Sequence, residues 1–238
     1  MEEKDPSRFE MVQFHQSYSY EDFIQGWRPN SSGGFDRKAG VFFEFCDRAR
    51  VDRMRPYVFV IDEINRGNLS KIFGELMMLM EADKRGSEYA IPLTYSESLD
   101  ERFSIPENVL IVGLMNTADR SLAMVDYALR RRFVFFTLAP QLDSPLFSER
   151  LLQAGANDEL VAKIRKRIGD LNRLICEQKR DLGPGFQVGH SYFCPAIEQV
   201  VDESWYQSVI ADEVAPLIEE YWFDDPDKAA AIVEELLS

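Results

Sequence analysis

The chain has 238 residues, of which 45% are hydrophobic and 29% charged, and 27 Lys and Arg against 41 Asp and Glu give a net charge of −14. This length suffices for one large domain or two modest ones, and no apolar run approaches the roughly 20 residues of a membrane-spanning helix. The negative charge argues against a protein that wraps a nucleic-acid backbone. Because the first ten residues lack an apolar core and the three Cys show no paired spacing, we expect a cytoplasmic protein without signal peptide, disulfides or zinc.

The first fifty residues predict a strand, a helix start, a loop and a helix. Residues 11–14 are a short strand candidate, and SYED at 19–22 is typical of a helix start, since Ser19 can cap an exposed N–H with an acid three residues on. Residues 26–40, rich in Gly, Ser and Pro, indicate a loop. Apolar residues from Val41 to Ala49 then share one face of an amphipathic helix.

The stretch 57–85 carries the strongest functional signal. Four apolar residues at 58–61 predict a buried strand, and Asp62 and Glu63 follow at once. Unpaired carboxylates do not belong in a core, but at the carboxyl end of a parallel strand they face the crevice where α/β folds bind ligands. This is the layout of a Walker B element, in which the Asp helps to hold Mg²⁺ and the Glu orients the water that attacks the γ-phosphate. An apolar strand followed by a polar turn is the alternative.

The following residues complete an alternating pattern of helices and strands. Apolar residues from Leu69 to Met80 fall at helical spacing, with basic residues 84 and 85 in the last turn and Gly86 just beyond. Further elements are predicted in this order: a hairpin within 87–106, a buried strand at 108–115 that ends in Asn116, a short helix at 122–129 and an apolar strand at 133–137. This order predicts a parallel α/β sheet.

From residue 139 onward the pattern predicts helices only. Ser144 and Pro145 form a helix-start pair, and later apolar stripes predict a long helix over 160–175 that ends near Gly183, a helix over 205–221 that Pro216 kinks or splits, and a last helix from Pro226. We place the boundary near Pro140, which gives an α/β core at residues 1–139 and an all-helical lid at 140–238. The nine acidic residues and one Lys beyond Ala211 indicate a solvated helix face rather than a dock for a basic partner.

Three stretches carry a resemblance to a known family. INRGNLSKIFGELMMLMEADKRG at 64–86, MNTADRS at 115–121 and ALRRRF at 128–133 resemble McrB-type AAA+ motor subunits of the methylcytosine-dependent restriction endonuclease McrBC. The resemblance runs from about Met11 nearly to the C-terminus. It implies an AAA+ parallel-sheet core followed by a helical lid, hydrolysis of GTP with Mg²⁺, a homo-oligomeric ring expected to be a hexamer, an McrC-type endonuclease partner, and DNA engaged only through the complex.

The resemblance also implies roles for particular residues. Asn116 matches sensor 1, which holds the attacking water or touches the γ-phosphate, although a turn-forming Asn is the simpler interpretation of the residue by itself. Asp119 and Arg120 belong to the same signature, and we expect Asp119 to lie near the nucleotide or at ring contacts.

Two further candidates lie beyond that signature. Arg131, with Arg132 as second choice, matches an arginine finger that stabilises charge in a neighbouring subunit's site; a salt-bridged surface patch is the alternative. His190, in the Gly-rich stretch 183–193, is a candidate nucleotide contact, and a structural histidine bonded to backbone is the alternative.

One expected element is missing from the sequence. No G-x-x-x-x-G-K-[ST] occurs, so nothing here cradles the β- and γ-phosphates, and we expect the chain alone to be inactive. In the family that loop and its strand lie upstream of the residues matching Met11, and the strand sits between those ending at Asn116 and starting at Phe133. We therefore expect strands at Met11, Val58, Val109 and Phe133 in one parallel sheet. The gap is then closed by direct pairing or filled by another segment, or the isolated chain is prone to aggregation.

Two other functions fit the same residues. One is a non-catalytic ring or interaction module that has lost nucleotide binding but keeps its lid and acidic tail. The other is a MoxR-like AAA+ ATPase, which shares Walker B, sensor 1 and ring arginines; the wording of MNTADRS and DEINRGNLSK favours the McrB-type assignment.

Overall fold

The computed structural model describes residues 5–116, 118, 130–178 and 182–238. Contacts divide the chain into two units, Met1–Phe135 and Phe136–Ser238. The first unit is mixed α/β and the second is helical in its described parts. The predicted helix at 122–129 and the candidates Asp119 and Arg120 lie outside the described residues.

The first unit is built around a three-stranded parallel sheet. Its strands lie in the order β1-β4-β7, and β4, which ends in Asp62, is therefore the central strand. The principal elements are β1 (Phe9–Gln13), α1 (Tyr20–Phe23), β2 (Gln25–Pro29), β3 (Phe35–Ala39), α2 (Val41–Val51), β4 (Tyr57–Asp62), α3 (Leu69–Phe73), β5 (Ile91–Pro92), β6 (Arg102–Phe103) and β7 (Val109–Gly113). Three of the four strands predicted for one parallel sheet are confirmed.

One face of this sheet is covered by helices through an aromatic cluster. Phe59 on β4 meets Phe23 of α1 and Phe42 of α2 with ring centroids 5.7 and 5.0 Å apart, and all three side chains are fully buried. The α1 start has the predicted capping box, in which Ser19 and Asp22 bond each other's backbone N–H. These contacts fix the sheet that carries the carboxylates against its helical layer.

The opposite face of the sheet is open along its two outer strands, whereas Val60 of the central strand is buried there. Alternate residues of the two outer strands, Phe9 and Met11 on β1 and Leu110 and Val112 on β7, each keep about half of their surface exposed. Along the sheet these residues line up, since Met11 pairs with Val60 and Val60 with Val112. Parallel sheets are normally buried on both faces, so this apolar surface is suited to further polypeptide.

Two predictions in the first unit are wrong in part. The expected loop at 26–40 is largely the antiparallel hairpin β2–β3, because the Asn30 side chain accepts hydrogen bonds from Ser32 N and Gly34 N and so organises a tight turn. The expected long helix from Leu69 is broken at Gly74, which adopts φ +50° and is followed by a 3₁₀ segment, Gly74–Leu79. The short hairpin β5–β6 is confirmed.

The predicted strand at 133–137 is also wrong. These residues form no strand, and Val134 and Phe136 are 80% and 85% exposed. Within the described residues β7 pairs only with β4, so the gap is neither closed by residues 133–137 nor filled. A β-prone sequence forms a strand only where a neighbour completes the hydrogen-bond ladder, and residues 133–137 pair with no strand in the described part of the chain.

The second unit is a set of helices around its own core, which includes the fully buried Tyr206. The described helices are α4 (Pro145–Gln153), α5 (Asp158–Glu177), α6 (Glu203–Val209), α7 (Ala215–Tyr221) and α8 (Pro226–Leu237). A π-helical turn, Ile210–Val214, separates α6 from α7, which confirms the predicted interruption before Pro216. The described part of α5 ends at Glu177, short of the expected Gly183. None of the helices in the described ranges combines the length and apolarity needed to cross a bilayer.

Candidate functional site

Asp62 closes the central strand. Its backbone O accepts from Phe14 N at 2.9 Å, and its Oδ1 accepts from Glu63 N at 3.0 Å. Gln13, its register partner on β1, places Nε2 3.4 Å from Oδ2. The carboxylate is thus aimed beyond the carboxyl end of the strand and is partly open to solvent, as the sequence predicts.

Glu63 occupies a left-handed backbone conformation, with φ +51° and ψ +43°. Such a conformation costs roughly 1–2 kcal/mol for a residue other than Gly and persists only where the surroundings hold it. Its Oε2 is shielded from solvent and lies 3.1 Å from Arg66 Nε, an ion pair that does not meet hydrogen-bond geometry. Arg66 therefore holds the Glu63 carboxylate from one side. Among the described residues of the candidate site, Glu63 has the most strained backbone.

Main-chain hydrogen bonds tie the turn after β4 to the end of β7. Ile64 N donates to Leu114 O at 2.9 Å, and Leu114 N donates to Ile61 O at 2.8 Å. A Cβ at Gly113 would lie 2.8 Å from Ile64 Cδ1, so a larger residue there would require the Ile64 side chain to shift. Asn65 Nδ2 reaches Asn116 O at 3.4 Å. The structure thus brings the segment of Asn116 beside the turn that follows Asp62 and Glu63.

The Asn116 side chain itself makes a local contact. Its Oδ1 accepts from Ala118 N at 3.0 Å, an Asx-turn arrangement, and the residue is exposed. This is the turn-forming role that the residue type suggests. It leaves the side-chain NH₂ group of Asn116 as the part suited to a water or phosphate oxygen.

The arginine triplet, residues 130–132, opens the described range 130–178. Arg131 is exposed, whereas Arg132 is 19% exposed and its Nε lies 3.3 Å from Glu81 Oε1. Lys84 bonds the same carboxylate, and Lys84, with a smaller contribution from Arg132, holds the pKa of Glu81 below its usual value. Arg132 thus has an ion-pair partner within its own chain, as the salt-bridge alternative requires for that residue.

His190 lies in the second unit, within the 3₁₀ turn His190–Phe193. Its Nδ1 accepts from Gln141 N at 3.2 Å, and its ring meets Phe147 edge-on with centroids 6.3 Å apart. The preceding Val188 is clamped by the buried Asn172, which accepts from Val188 N and donates to Val188 O. The imidazole therefore has the backbone contact expected of a structural histidine.

Asp62, at the carboxyl end of β4, is the predicted metal ligand. The described residues contain no group of three or more His, Cys, Asp or Glu arranged to hold a metal. Mg²⁺ in nucleotide sites usually keeps several waters and takes one or two carboxylates together with phosphate oxygens. Asp62, with Oδ2 only weakly contacted, fits such a water-mediated ligand.

Sequence reasoning missed three residues around this turn. Gln13 could have been found from strand register, since the polar residue ending β1 pairs with Asp62. Asn65 and Arg66 follow the carboxylates directly but carry no periodic signal. Only the fold of the turn brings Asn65 to Asn116 and Arg66 to Glu63.

Two family models match parts of the chain. The family model described as the AAA domain (dynein-related subfamily) matches residues 2–133, more than half of the chain. The model described as McrB, alpha-helical lid domain, matches residues 163–230. The chain therefore belongs to the AAA family, with a parallel-sheet core and a helical McrB lid, and within it the chain is an McrB-type protein.

Two relatives come from restriction systems. The chain is 54% identical over 237 residues to the type IV methyl-directed restriction enzyme EcoKMcrB subunit of Escherichia coli K12. The aligned residues are 99% of this chain and 51% of the relative. It is 27% identical over 166 residues to the type II restriction enzyme BsuMI component YdiS of Bacillus subtilis 168. This alignment covers 55% of this chain and 48% of the relative. The chain spans about half the length of each relative.

Proposed function

We propose that this chain is the part of an AAA motor that carries Walker B, sensor 1 and the lid, and that it acts in a restriction system directed at modified DNA. The observation that carries this proposal is the pair Asp62 and Glu63 at the end of the central parallel strand, tied by hydrogen bonds to the segment of Asn116. Polar groups that converge at this edge of a parallel sheet suit phosphoryl transfer, which relies on positioning and charge.

The proposed roles follow from the chemistry of each side chain. Glu63 orients the attacking water, Asn116 contributes its NH₂ group to that water or to the γ-phosphate, and Asp62 holds a water of the Mg²⁺ shell. When bound with the nucleotide, Mg²⁺ neutralises phosphate charge. Arg131, which is exposed, is assigned by resemblance to a neighbouring subunit's site, with Arg132 as the second choice. Asp119 and His190 are assigned to nucleotide contacts by resemblance alone.

The phosphate loop is proposed to come from polypeptide outside these 238 residues. The sequence has no Walker A motif, and the chain spans half the length of its relatives. The open sheet face and the outer edge of β7 are the surfaces suited to that polypeptide. In its presence residues 133–137 would gain the strand neighbour that they lack here.

The nucleotide and partners are proposed from the McrB-type resemblance. They are GTP, a ring of like subunits expected to be a hexamer, and an endonuclease subunit that cuts while the motor translocates, with DNA reached through the complex. The E. coli relative is described as a subunit of a methyl-directed restriction enzyme, which supports a modified-DNA target.

The test compares the chain alone with a completed protein, in which a P-loop-bearing segment from a relative is joined ahead of residue 1. Titration with labelled GTP and Mg²⁺ should give weak binding and almost no turnover for the chain alone. The completed protein should hydrolyse GTP, and Glu63→Gln should abolish turnover while binding persists, because the lost group acts in the transition state. The exposed Glu88→Gln is the matched control and should leave turnover unchanged.

Two outcomes would refute the proposal. One is a completed protein in which Glu63→Gln turns over at the original rate, which would remove Glu63 from the reaction. The other is a completed protein that binds no nucleotide, which would favour the non-catalytic interaction module. Hydrolysis of ATP in preference to GTP would leave the site assignment intact but replace the nucleotide.

A further inference from the structure

Arg66 stands out because it contacts the residue on which the proposed chemistry depends. Its Nε lies 3.1 Å from Glu63 Oε2, and that oxygen is shielded from solvent although the Glu63 side chain keeps 19% exposure. The exposed part of Glu63 therefore lies elsewhere than Oε2. One oxygen is turned toward the arginine, and the rest of the side chain remains accessible from outside.

The backbone around this pair leaves little freedom. Arg66 N donates to Glu63 O at 2.8 Å, which closes the 3₁₀ turn Ile64–Arg66, and Ile64 N is bonded to Leu114 O. A Cβ at the next residue, Gly67, would lie 2.6 Å from Ile72 Cδ1, so the turn is packed against its own helix. A fixed turn presents Arg66 to Glu63 in one geometry, and the left-handed backbone of Glu63 is held in the same way.

We propose that Arg66 is a positioning residue for Glu63: it anchors Oε2 so that the other carboxylate oxygen faces the attacking water. The inference rests on the proposed function and adds to it a residue that acts through Glu63. A carboxylate on a strained turn has several rotamers, and a misplacement of about 1 Å can cost on the order of 100-fold in rate. An ion pair between two side chains three residues apart restricts those rotamers.

A surface ion pair of no consequence is the competing explanation, and the chain offers a matched control for it. Arg55 Nε lies 2.7 Å from Asp52 Oδ2 with the same three-residue spacing, and Arg55 is 54% exposed against 44% for Arg66. Arg55→Ala should not alter turnover. Arg66→Ala in the completed protein should lower kcat about 100-fold with KM for GTP changed by less than about twofold, because a positioning loss affects the transition state.

Two further measurements separate positioning from a structural role. Arg66→Lys keeps a cation and should recover part of the lost kcat. In a double-mutant cycle with Glu63→Asp, which keeps a carboxylate but shortens its reach to Arg66, Arg66→Ala should cost much less than in the wild type, since both residues act through one group. On the chain itself, the Nε–H resonance of Arg66 in ¹⁵N-labelled protein should shift on Glu63→Gln and not on Glu88→Gln.

The outcomes are distinguishable from failure of the proposed function. If Glu63→Gln abolishes turnover but Arg66→Ala does not lower kcat, the positioning role is wrong and the proposed function stands. An equal loss from Arg66→Ala in the Glu63→Asp and wild-type backgrounds, or an Nε–H resonance indifferent to Glu63→Gln, would likewise overturn it. If the completed wild type does not hydrolyse nucleotide, the proposed function fails and the positioning role fails with it.

Discussion

Asn172→Ala should destabilise the helical unit more than any exposed substitution on the same helix. Asn172 is 4% exposed on α5, and its amide makes two buried hydrogen bonds to Val188, accepting from N at 2.6 Å and donating from Nδ2 to O at 2.9 Å. These bonds hold the backbone of the stretch that leads to His190. Alanine removes both bonds and leaves the N–H and C=O of the buried Val188 without them.

The magnitude follows from the number of orphaned groups. A buried polar group left without its partner costs about 1–3 kcal/mol, and two such groups, with partial relief from entering water, cost about 3 kcal/mol. For a urea dependence of about 1.5 kcal/mol per molar, the unfolding midpoint should fall by about 2 M. Arg173→Ala, on the neighbouring exposed position of the same helix, should change the free energy of unfolding by less than about 0.5 kcal/mol.

The assay uses tryptophan fluorescence of the whole chain. Trp205 and Trp222 lie in the helical unit and Trp27 in the other, so a Trp27→Phe background reports the helical unit alone. Urea titrations of Asn172→Ala and Arg173→Ala in that background give the two free energies. A loss below about 1 kcal/mol for Asn172→Ala, with an unchanged slope, would refute the reasoning that these bonds carry the loop.

Three further predictions use the same chain or its completed form. Arg131→Ala in the completed protein should lose roughly 10³-fold or more in turnover and regain activity when wild-type subunits are mixed in, because a finger acts on its neighbour; a mere weighted average of the two rates would contradict this. Cys194 should react with a thiol reagent in the native chain and Cys46 only after unfolding, because burial raises the pKa of the Cys46 thiol; equal rates would count against it. Arg37 holds the pKa of Glu101 below its usual 4.5, so the stabilisation by this ion pair is present above about pH 4.5 and is lost as pH falls through the lower folded pKa. Urea titrations should therefore show that Arg37→Ala costs about 0.5 kcal/mol at pH 7 and less at pH 3.5. A cost that does not change with pH would contradict this.

Local signals explain which parts of the fold were predictable. The apolar run before Asp62, the capping box at Ser19 and the interruption before Pro216 each depend on residues within a few positions, and all three are confirmed. The hairpin within residues 25–39 and the break at Gly74 were missed. Their causes are the Asn30 side chain in one case and, in the other, the approach of Gly74 to the Tyr20 ring, where a Cβ would lie 3.1 Å away.

In the candidate site, too, some features follow from local sequence signals and others from the tertiary structure. The amino-acid order by itself determined that two carboxylates follow a buried strand and that an Asn follows the next one, because strand and turn preferences are local. Only the tertiary structure decided that β4 is central, that the turn of Glu63 is left-handed and that Arg66 reaches its carboxylate. It also decided that residues 133–137 are no strand, since a strand exists only where a neighbouring chain accepts its hydrogen bonds, and no pattern within one segment specifies that neighbour.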